Sequence, residues 1–125
     1  MGIEEEAHPE LVRDGNNLLY NLFISVPDAA LGCNPEVPLI EGYAKVKIEA
    51  GVQSGKILRL RAKGLPDVNS SGRGDLLVKV NVWTPTQLSS EEKKIMEKLR
   101  ESKNVQPHPS KKEKGFFDRM REYFD

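Results

Sequence analysis

Few side chains in this sequence have both the chemistry and the spacing that catalysis requires. His8 and His108 stand near opposite ends of the chain, each beside a proline in a polar stretch. Cys33 is the one cysteine, so the chain can form neither an internal disulfide nor a multi-cysteine metal site. No Ser-His-acid or Cys-His arrangement can be assembled from these residues. We therefore expect no enzyme, and the alternative of a small hydrolase or nucleotide-binding enzyme has no candidate residues.

Two glycine-containing motifs resemble ligand-binding loops at first sight. Gly72-Arg73-Gly74-Asp75 lacks the Gly-Lys-Ser/Thr ending of a phosphate loop, and it precedes a strand pattern rather than a helix. Asp14-Gly15-Asn16 lacks the alternating acidic ligands and the distal glutamate of a calcium-binding loop. We interpret both motifs as turns and expect no cofactor or metal at either.

The charge balance bears on possible partners. Lys and Arg number 19 and Asp and Glu number 19, whereas proteins that neutralise many phosphates usually have a basic excess. No segment approaches the ~18 consecutive apolar residues of a membrane-spanning helix. The stretch from Met1 to Glu6 is acidic and does not resemble a signal peptide. We expect a cytoplasmic protein with neither nucleic acid nor membrane as a partner.

Short strand patterns dominate the first two thirds of the chain and would position any binding surface. The stretch from Ser25 to Gly32 predicts a short helix between them, with Ser25 as its N-cap. This succession predicts a mainly β, two-layer, sandwich-like domain with a short internal helix. The strand patterns cover residues 18–26, 44–48, 57–61 and 76–83.

The first strand pattern is unusual because both of its faces carry large apolar side chains. Leu18, Tyr20, Leu22, Ile24 and Val26 alternate with Leu19, Asn21, Phe23 and Ser25. The second face, to which Trp83 of the last strand pattern also belongs, has two possible roles. It forms either a second core layer or the lining of a binding groove, and the sequence leaves both open.

The remainder of the chain is helical and charged in composition. Ser89 and Glu92 have the spacing of a capping box, which predicts a helix start. Residues 104–114 predict a linker, and a short amphipathic helical tail follows at 115–125. We therefore divide the chain into a β-rich domain, 1–86, and a helix, linker and tail, 87–125. The apolar residues of the helix are Ile95, Met96 and Leu99, and those of the tail are Phe116, Phe117, Met120, Tyr123 and Phe124.

Several sequence blocks, in matching order and spacing, resemble the second C-terminal domain of bacterial DnaJ-type co-chaperones. Examples are Arg13-Asp14-Gly15-Asn16, Val52-Gln53-Ser54-Gly55 and Gly72-Arg73-Gly74-Asp75-Leu76. The blocks together cover most of residues 4–104. The ending from Lys114 to Asp125 is also similar to that of some bacterial members. The full set of blocks is 10–18, 28–32, 46–55, 58–66, 72–82 and Thr84-Pro85.

This resemblance implies recognition of non-native polypeptides, homodimerisation and co-operation with a DnaK-type chaperone. We expect an extended client to add a strand at an exposed sheet edge, near the proline-marked segment Pro35 to Pro38. The client-binding candidates are Leu19 and Phe23 on one face, or Tyr20 and Leu22 on the other. The dimerisation candidates are the apolar helix and tail residues, Ile95, Met96, Leu99, Phe116, Phe117, Met120, Tyr123 and Phe124; docking of the tail on the β-domain of its own chain is the alternative.

The departures from the family pattern limit what the resemblance implies. His8-Pro9-Glu10 differs from the His-Pro-Asp of a J domain and precedes a turn and a strand, so we expect no stimulation of ATP turnover. The cysteine repeats of the family's zinc module are absent, so we expect no zinc. A purely structural dimerisation module without client binding is the alternative function.

Overall fold

The structure, a computed structural model, describes residues 10–66 and 72–109. The chain divides into two compact units, one ending at Pro85 and the other starting at Thr86. The assignment of client binding and dimerisation to the two predicted regions stays a prediction. The elements are β1 (Leu11–Asp14), β2 (Asn17–Ser25), α1 (Val26–Leu31), β3 (Glu36–Pro38), β4 (Tyr43–Lys45), β5 (Ile57–Leu60), β6 (Leu76–Trp83), α2 (Ser90–Arg100) and a 3-10 turn (Lys103–Val105).

The first unit contains a four-stranded sheet in the order β1-β2-β6-β5 and a separate β3-β4 pair. β1 and β2 form an antiparallel hairpin around Gly15, whose φ of 63° suits a residue without a Cβ. β2 and β6 run parallel, with Leu18 opposite Leu76 and Ser25 opposite Trp83. β5 is antiparallel to β6. The prediction of a mainly β, sandwich-like fold with a short internal helix is confirmed.

Helix α1 forms where the sequence pattern predicts it. The Ser25 hydroxyl accepts a hydrogen bond of 3.1 Å from the Asp28 backbone N–H, which caps the first turn. Pro27 lies in that first turn, and Gly32 ends the helix with a φ of 86°. The helix directs the chain off the end of β2 and over one face of the sheet, where Ala29 is buried in the core.

The core occupies one face of the four-stranded sheet. Leu76, Val78 and Val80 of β6 are fully buried, and alternate residues of β2 join them. Because side chains alternate along a strand, the other residues of β2 and β6 must point to the opposite side of the sheet. The second core layer is supplied by α1, by β3 and by the segment after β4, through Ala29, Val37, Val46 and Ile48.

A turn–loop junction fixes the start of both central strands, β2 and β6. It consists of Asn16, Asn17, Gly64, Leu65, Gly74 and Asp75. The Leu65 N–H donates to the Asn16 carbonyl at 2.8 Å, and the Gly74 N–H donates to the Leu65 carbonyl at 2.8 Å. The Asp75 N–H donates to Asn17 Oδ1 at 2.8 Å. These bonds join the β1–β2 turn to the loop before β6 and so set the parallel register.

Helix α2 belongs to the second unit and has the predicted capping box. The Glu92 N–H donates to the Ser89 hydroxyl at 3.1 Å, and the Ser89 N–H donates to Glu92 Oε1 at 2.7 Å. The Ser89 backbone bond, followed by the Ser89 hydroxyl bond, lowers the pKa of Glu92. The Glu92 carboxylate therefore stabilises α2 at neutral pH, and this stabilisation is lost as the pH falls through the lowered pKa. No helix within residues 10–66 and 72–109 is long and apolar enough to cross a membrane.

We expect Ser89→Ala to lower the stability of α2 by about 1 kcal/mol, because it removes the hydroxyl that accepts from the Glu92 N–H, while the backbone N–H of residue 89 can still donate to Glu92. The matched control is Ser90→Ala, since the Ser90 hydroxyl makes no cap bond. Hydrogen exchange of the first-turn amides of α2 measures the difference. Equal protection in the two variants would show that the capping box does not stabilise this helix.

Candidate functional site

The side of the four-stranded sheet opposite the core is accessible and largely apolar; we call it the outer face. Phe23 is 61% exposed and Trp83 is 55% exposed, while Val12 and Ile57 are exposed to a similar extent. Exposed apolar side chains gathered on one surface commonly mark an interaction site. The outer face consists of Val12, Leu19, Asn21, Phe23, Ile57, Arg59, Leu77, Lys79, Asn81 and Trp83.

The strand register arranges the outer face in rows. Val12, Leu19 and Leu77 are direct neighbours across β1, β2 and β6, which gives an apolar row. Two residues further along β2 and β6, Asn21 lies opposite Lys79. Lys79 in turn lies opposite Ile57 of β5. Directly paired residues share a face of the sheet, so the apolar row is followed by a second row, which is polar on β2 and β6 and ends at Ile57 on β5; we call it the polar row.

An aromatic pair forms the far end of the outer face. The rings of Phe23 and Trp83 lie 6.4 Å apart between centroids at an interplanar angle of 79°, which is an edge-to-face arrangement. Asn81 lies between them and the polar row, and its amide nitrogen donates to Asn21 Oδ1 at 3.3 Å and to the Lys79 carbonyl at 3.2 Å. The face therefore has apolar side chains at both ends and polar side chains in the middle.

The four predicted client-binding residues divide between the two faces of β2. Leu19 and Phe23 lie on the outer face. Leu22 is buried in the core, so a client cannot reach it unless the core opens. Tyr20 is half-buried on the core side, where burial, then Glu10 and then Tyr43 raise its pKa. The sequence left the choice between the two pairs open, and the structure places Leu19 and Phe23 together on the outer face and Tyr20 and Leu22 on the core side.

Strand addition by a client needs a free sheet edge, and β2 has none because β1 and β6 flank it. The edges of the four-stranded sheet are β1 and β5. The proline-marked segment becomes β3, which pairs with β4 in register from Glu36–Lys45 to Pro38–Tyr43. Strand addition to the four-stranded sheet would therefore take place beside β1 or β5, at the margins of the outer face, whereas the β3-β4 pair lies on the core side.

Comparison with known proteins identifies the family of this chain. The profile of the DnaJ C terminal domain matches residues 1–85. The chain belongs to the DnaJ C-terminal domain family. It is 59% identical over 123 residues to the chaperone protein DnaJ of Bacteroides fragilis, covering 98% of this chain and 31% of that protein. The corresponding DnaJ of Bacteroides thetaiotaomicron is 52% identical with the same coverage, and that of Salinibacter ruber is 46% identical over 98% of this chain and 32% of its own length.

The family assignment confirms the resemblance read from the sequence blocks. The chain spans about a third of the length of these DnaJ proteins. The chain is therefore a DnaJ-type co-chaperone fragment, and its relatives are named for a chaperone role rather than for catalysis.

The sequence reasoning missed three apolar residues of the outer face in this DnaJ C-terminal domain, and it also missed the polar residues Arg59, Lys79 and Asn81. Val12 and Ile57 join the face only because β1 and β5 flank the central strands, and Leu77 joins it because β6 lies directly beside β2. The alternation along β6 could have identified Leu77, because Leu77 and Trp83 are an even number of residues apart and so lie on the same face of the strand. The neighbouring strands could not be paired from that alternation alone.

The predicted dimerisation residues of α2 are all accessible. Ile95 is 56% exposed, and Met96 and Leu99 are exposed to lesser extents, so no apolar stripe of α2 is buried in its own unit. The tail candidates Phe116, Phe117, Met120, Tyr123 and Phe124 lie outside the described residues.

Neither a metal cluster nor an activated thiol occurs in the parts of the chain that the structure describes. Residues 10–66 and 72–109 contain no group of three His, Cys, Asp or Glu side chains placed to hold a metal ion. Cys33 is half-buried beside the Ile48 bridge, and burial, then Asp28, raises the pKa of its thiol. A raised pKa leaves less of the reactive thiolate at neutral pH.

Proposed function

We propose that this chain is the portion of a DnaJ-type co-chaperone that binds non-native polypeptides and forms a homodimer. The observation that carries the client-binding half is the outer face, with its apolar row at one end and the Phe23–Trp83 pair at the other. Folded clients bury their apolar side chains, whereas non-native ones present them. A surface of this kind therefore distinguishes the two states.

Binding energy on the outer face comes mainly from apolar burial. Full burial of one large apolar side chain contributes roughly 1.5–3 kcal/mol, and the side chains of the outer face are already partly covered. Ordering an extended client offsets part of that gain. The expected result is weak, reversible binding, which suits a protein that must release its clients. Strand addition at β1 or β5 would supply backbone hydrogen bonds beside the same surface.

Partnership with a DnaK-type chaperone belongs to the same proposal and involves other parts of a longer protein. The relatives are named as DnaJ chaperones, and this chain matches about a third of their length. We propose that clients held here in the cytoplasm pass to the DnaK-type partner. The fragment itself performs binding and assembly without a cofactor and without contact with nucleic acid or membrane.

We expect the double variant Phe23→Ser, Trp83→Ser to bind an unfolded client at least about tenfold more weakly. A loss of about 1.4 kcal/mol of binding free energy weakens binding tenfold. Burial of the two aromatic side chains contributes more than that. A reduced and carboxymethylated protein, which stays unfolded, is the client. Fluorescence anisotropy measures the dissociation constant.

The matched control is Tyr43→Ser, because Tyr43 is an equally exposed aromatic residue that lies on β4 rather than on the outer face. Amide shift mapping with the same client gives an independent readout. If both variants bind the client as the parent chain does, and the shifts avoid β2 and β6, the outer face is not the client site. A dimer that binds no client at all would favour the alternative, a purely structural dimerisation module.

A further inference from the structure

The polar row of the outer face contains a cation without an opposite charge. Lys79 is exposed in the middle of β6, with Asn21 beside it on β2 and Ile57 beside it on β5. Among the described residues, Lys79 Nζ forms no ion pair. The other cation of the face, Arg59, has its Nε 3.3 Å from Asp75 Oδ2 and is thereby neutralised. The outer face therefore presents one unneutralised positive charge at its centre.

Asn21 adds a second donor beside this charge. Its Oδ1 accepts the hydrogen bond from Asn81, which fixes the orientation of the Asn21 amide. The Asn21 NH2 group makes no bond within the described residues and is free to donate. An ammonium and an amide NH2 on neighbouring strands are suited to a carboxylate, which accepts hydrogen bonds through both oxygens.

The spacing along the strands places this pair of donors between two apolar groups. Leu19 and Phe23 are four residues apart on β2, which is roughly 13 Å at ~3.3 Å per residue, and Lys79 lies level with the midpoint. An extended polypeptide has nearly the same rise. Its side chains at positions i and i+4 would meet the two apolar ends, while the side chain at i+2 would face Lys79.

We propose that the outer face selects client segments in which an acidic residue stands at i+2 between two large apolar residues at i and i+4. This inference rests on the proposed client-binding function and specifies its preferred sequence. A wholly apolar segment would cover Lys79 without giving it a partner, which disfavours that segment. An acidic residue at the midpoint supplies the missing partner in a setting drier than open solvent.

The test uses two labelled peptides with leucine and phenylalanine at i and i+4, separated by serines, and either glutamate or glutamine at i+2. Anisotropy titration gives each dissociation constant. We expect the parent chain to bind the glutamate peptide about five- to tenfold more tightly than the glutamine peptide, with the difference shrinking as salt increases. Lys79→Gln should remove the difference. The Lys79→Glu variant should bind a peptide with lysine at i+2 more tightly than the glutamine peptide.

Lys45→Gln is the matched control, because Lys45 is an exposed lysine of β4 outside the outer face; it should leave the preference unchanged. Equal affinity for the two peptides in the parent chain, or a preference that survives Lys79→Gln, would overturn the inference. If both peptides bind equally and both depend on Phe23 and Trp83, client binding stands and the acidic preference alone fails. Failure of both peptides to bind would overturn both proposals.

Discussion

Replacing Gly74 by alanine is expected to lower the free energy of unfolding of the β-rich unit by about 3 kcal/mol or more. A Cβ at Gly74 would overlap the backbone carbonyl of Asn16, which cannot rotate away as a side chain can. Relief of the overlap requires the β1–β2 turn and the loop before β6 to separate. That movement strains the bonds from Leu65 N–H to Asn16 and from Asp75 N–H to Asn17. Overpacking with loss of hydrogen bonds is among the most destabilising changes a single residue can cause.

Gly15→Ala is the matched control, because Gly15 lies beside Asn16 in the β1–β2 turn but has no atom within 4 Å of the position that an alanine methyl group would occupy. Its φ of 63° gives alanine a backbone cost of about 1–2 kcal/mol without any overlap. Urea denaturation followed by far-ultraviolet circular dichroism measures both variants, provided that the slope with denaturant is unchanged. A smaller loss for Gly74→Ala than for Gly15→Ala would show that the junction yields easily and does not fix the central strands.

Truncation after Val105 is expected to convert a homodimer into a monomer. The removed segment contains the apolar tail, and Ile95, Met96 and Leu99 of α2 remain exposed. Burying each large apolar side chain of the tail contributes roughly 1.5–3 kcal/mol before the cost of ordering. A net loss of about 3 kcal/mol raises the dimer dissociation constant more than a hundredfold. Sedimentation equilibrium of the intact and truncated chains measures the change.

A point variant tests the receiving surface separately from the tail. Leu99→Glu places a charge within the apolar stripe of α2 and should also favour the monomer, whereas Glu97→Gln on the same helix should not. Because Leu99 is 45% exposed, its replacement leaves the folded unit intact. Monomeric masses for the intact and truncated chains alike would remove the dimer proposal. Dimeric masses for both would place the interface elsewhere and make the tail dispensable.

Local features of the fold could be predicted because the residues that determine them are adjacent in sequence. The Ser25 cap of α1 and the capping box of Ser89 and Glu92 each depend on atoms three residues apart. The alternation along β6 likewise identified Leu76 to Trp83 as a strand with one buried face. Short-range geometry and side-chain period decide these features, and both can be read from a sequence.

The candidate site could be predicted only in part, because its composition depends on which strands are neighbours. Both faces of β2 carry apolar residues, so the pattern alone could not assign Leu22 to the core and Leu19 to the outer face. Nor does any local signal state that β6 runs parallel to β2 rather than antiparallel. That pairing brings Leu77 and Lys79 beside Leu19 and Asn21. The acidic preference proposed for the site follows from this pairing.

The parallel pairing of β2 with β6 also has a consequence for the kinetics of folding. The bond between Asn17 and Asp75 joins residues 58 positions apart, and α1 and the strands β3, β4 and β5 all lie between them. Closing so long a loop costs conformational entropy before the contacts between β2 and β6 can offset it. Domains dominated by such long-range contacts typically fold in milliseconds to seconds. During synthesis, β2 must therefore wait for its partner until β6 has left the ribosome. Until then, β6 covers neither face nor edge of β2, so a domain that we propose to bind clients itself passes through a stage in which it resembles a client.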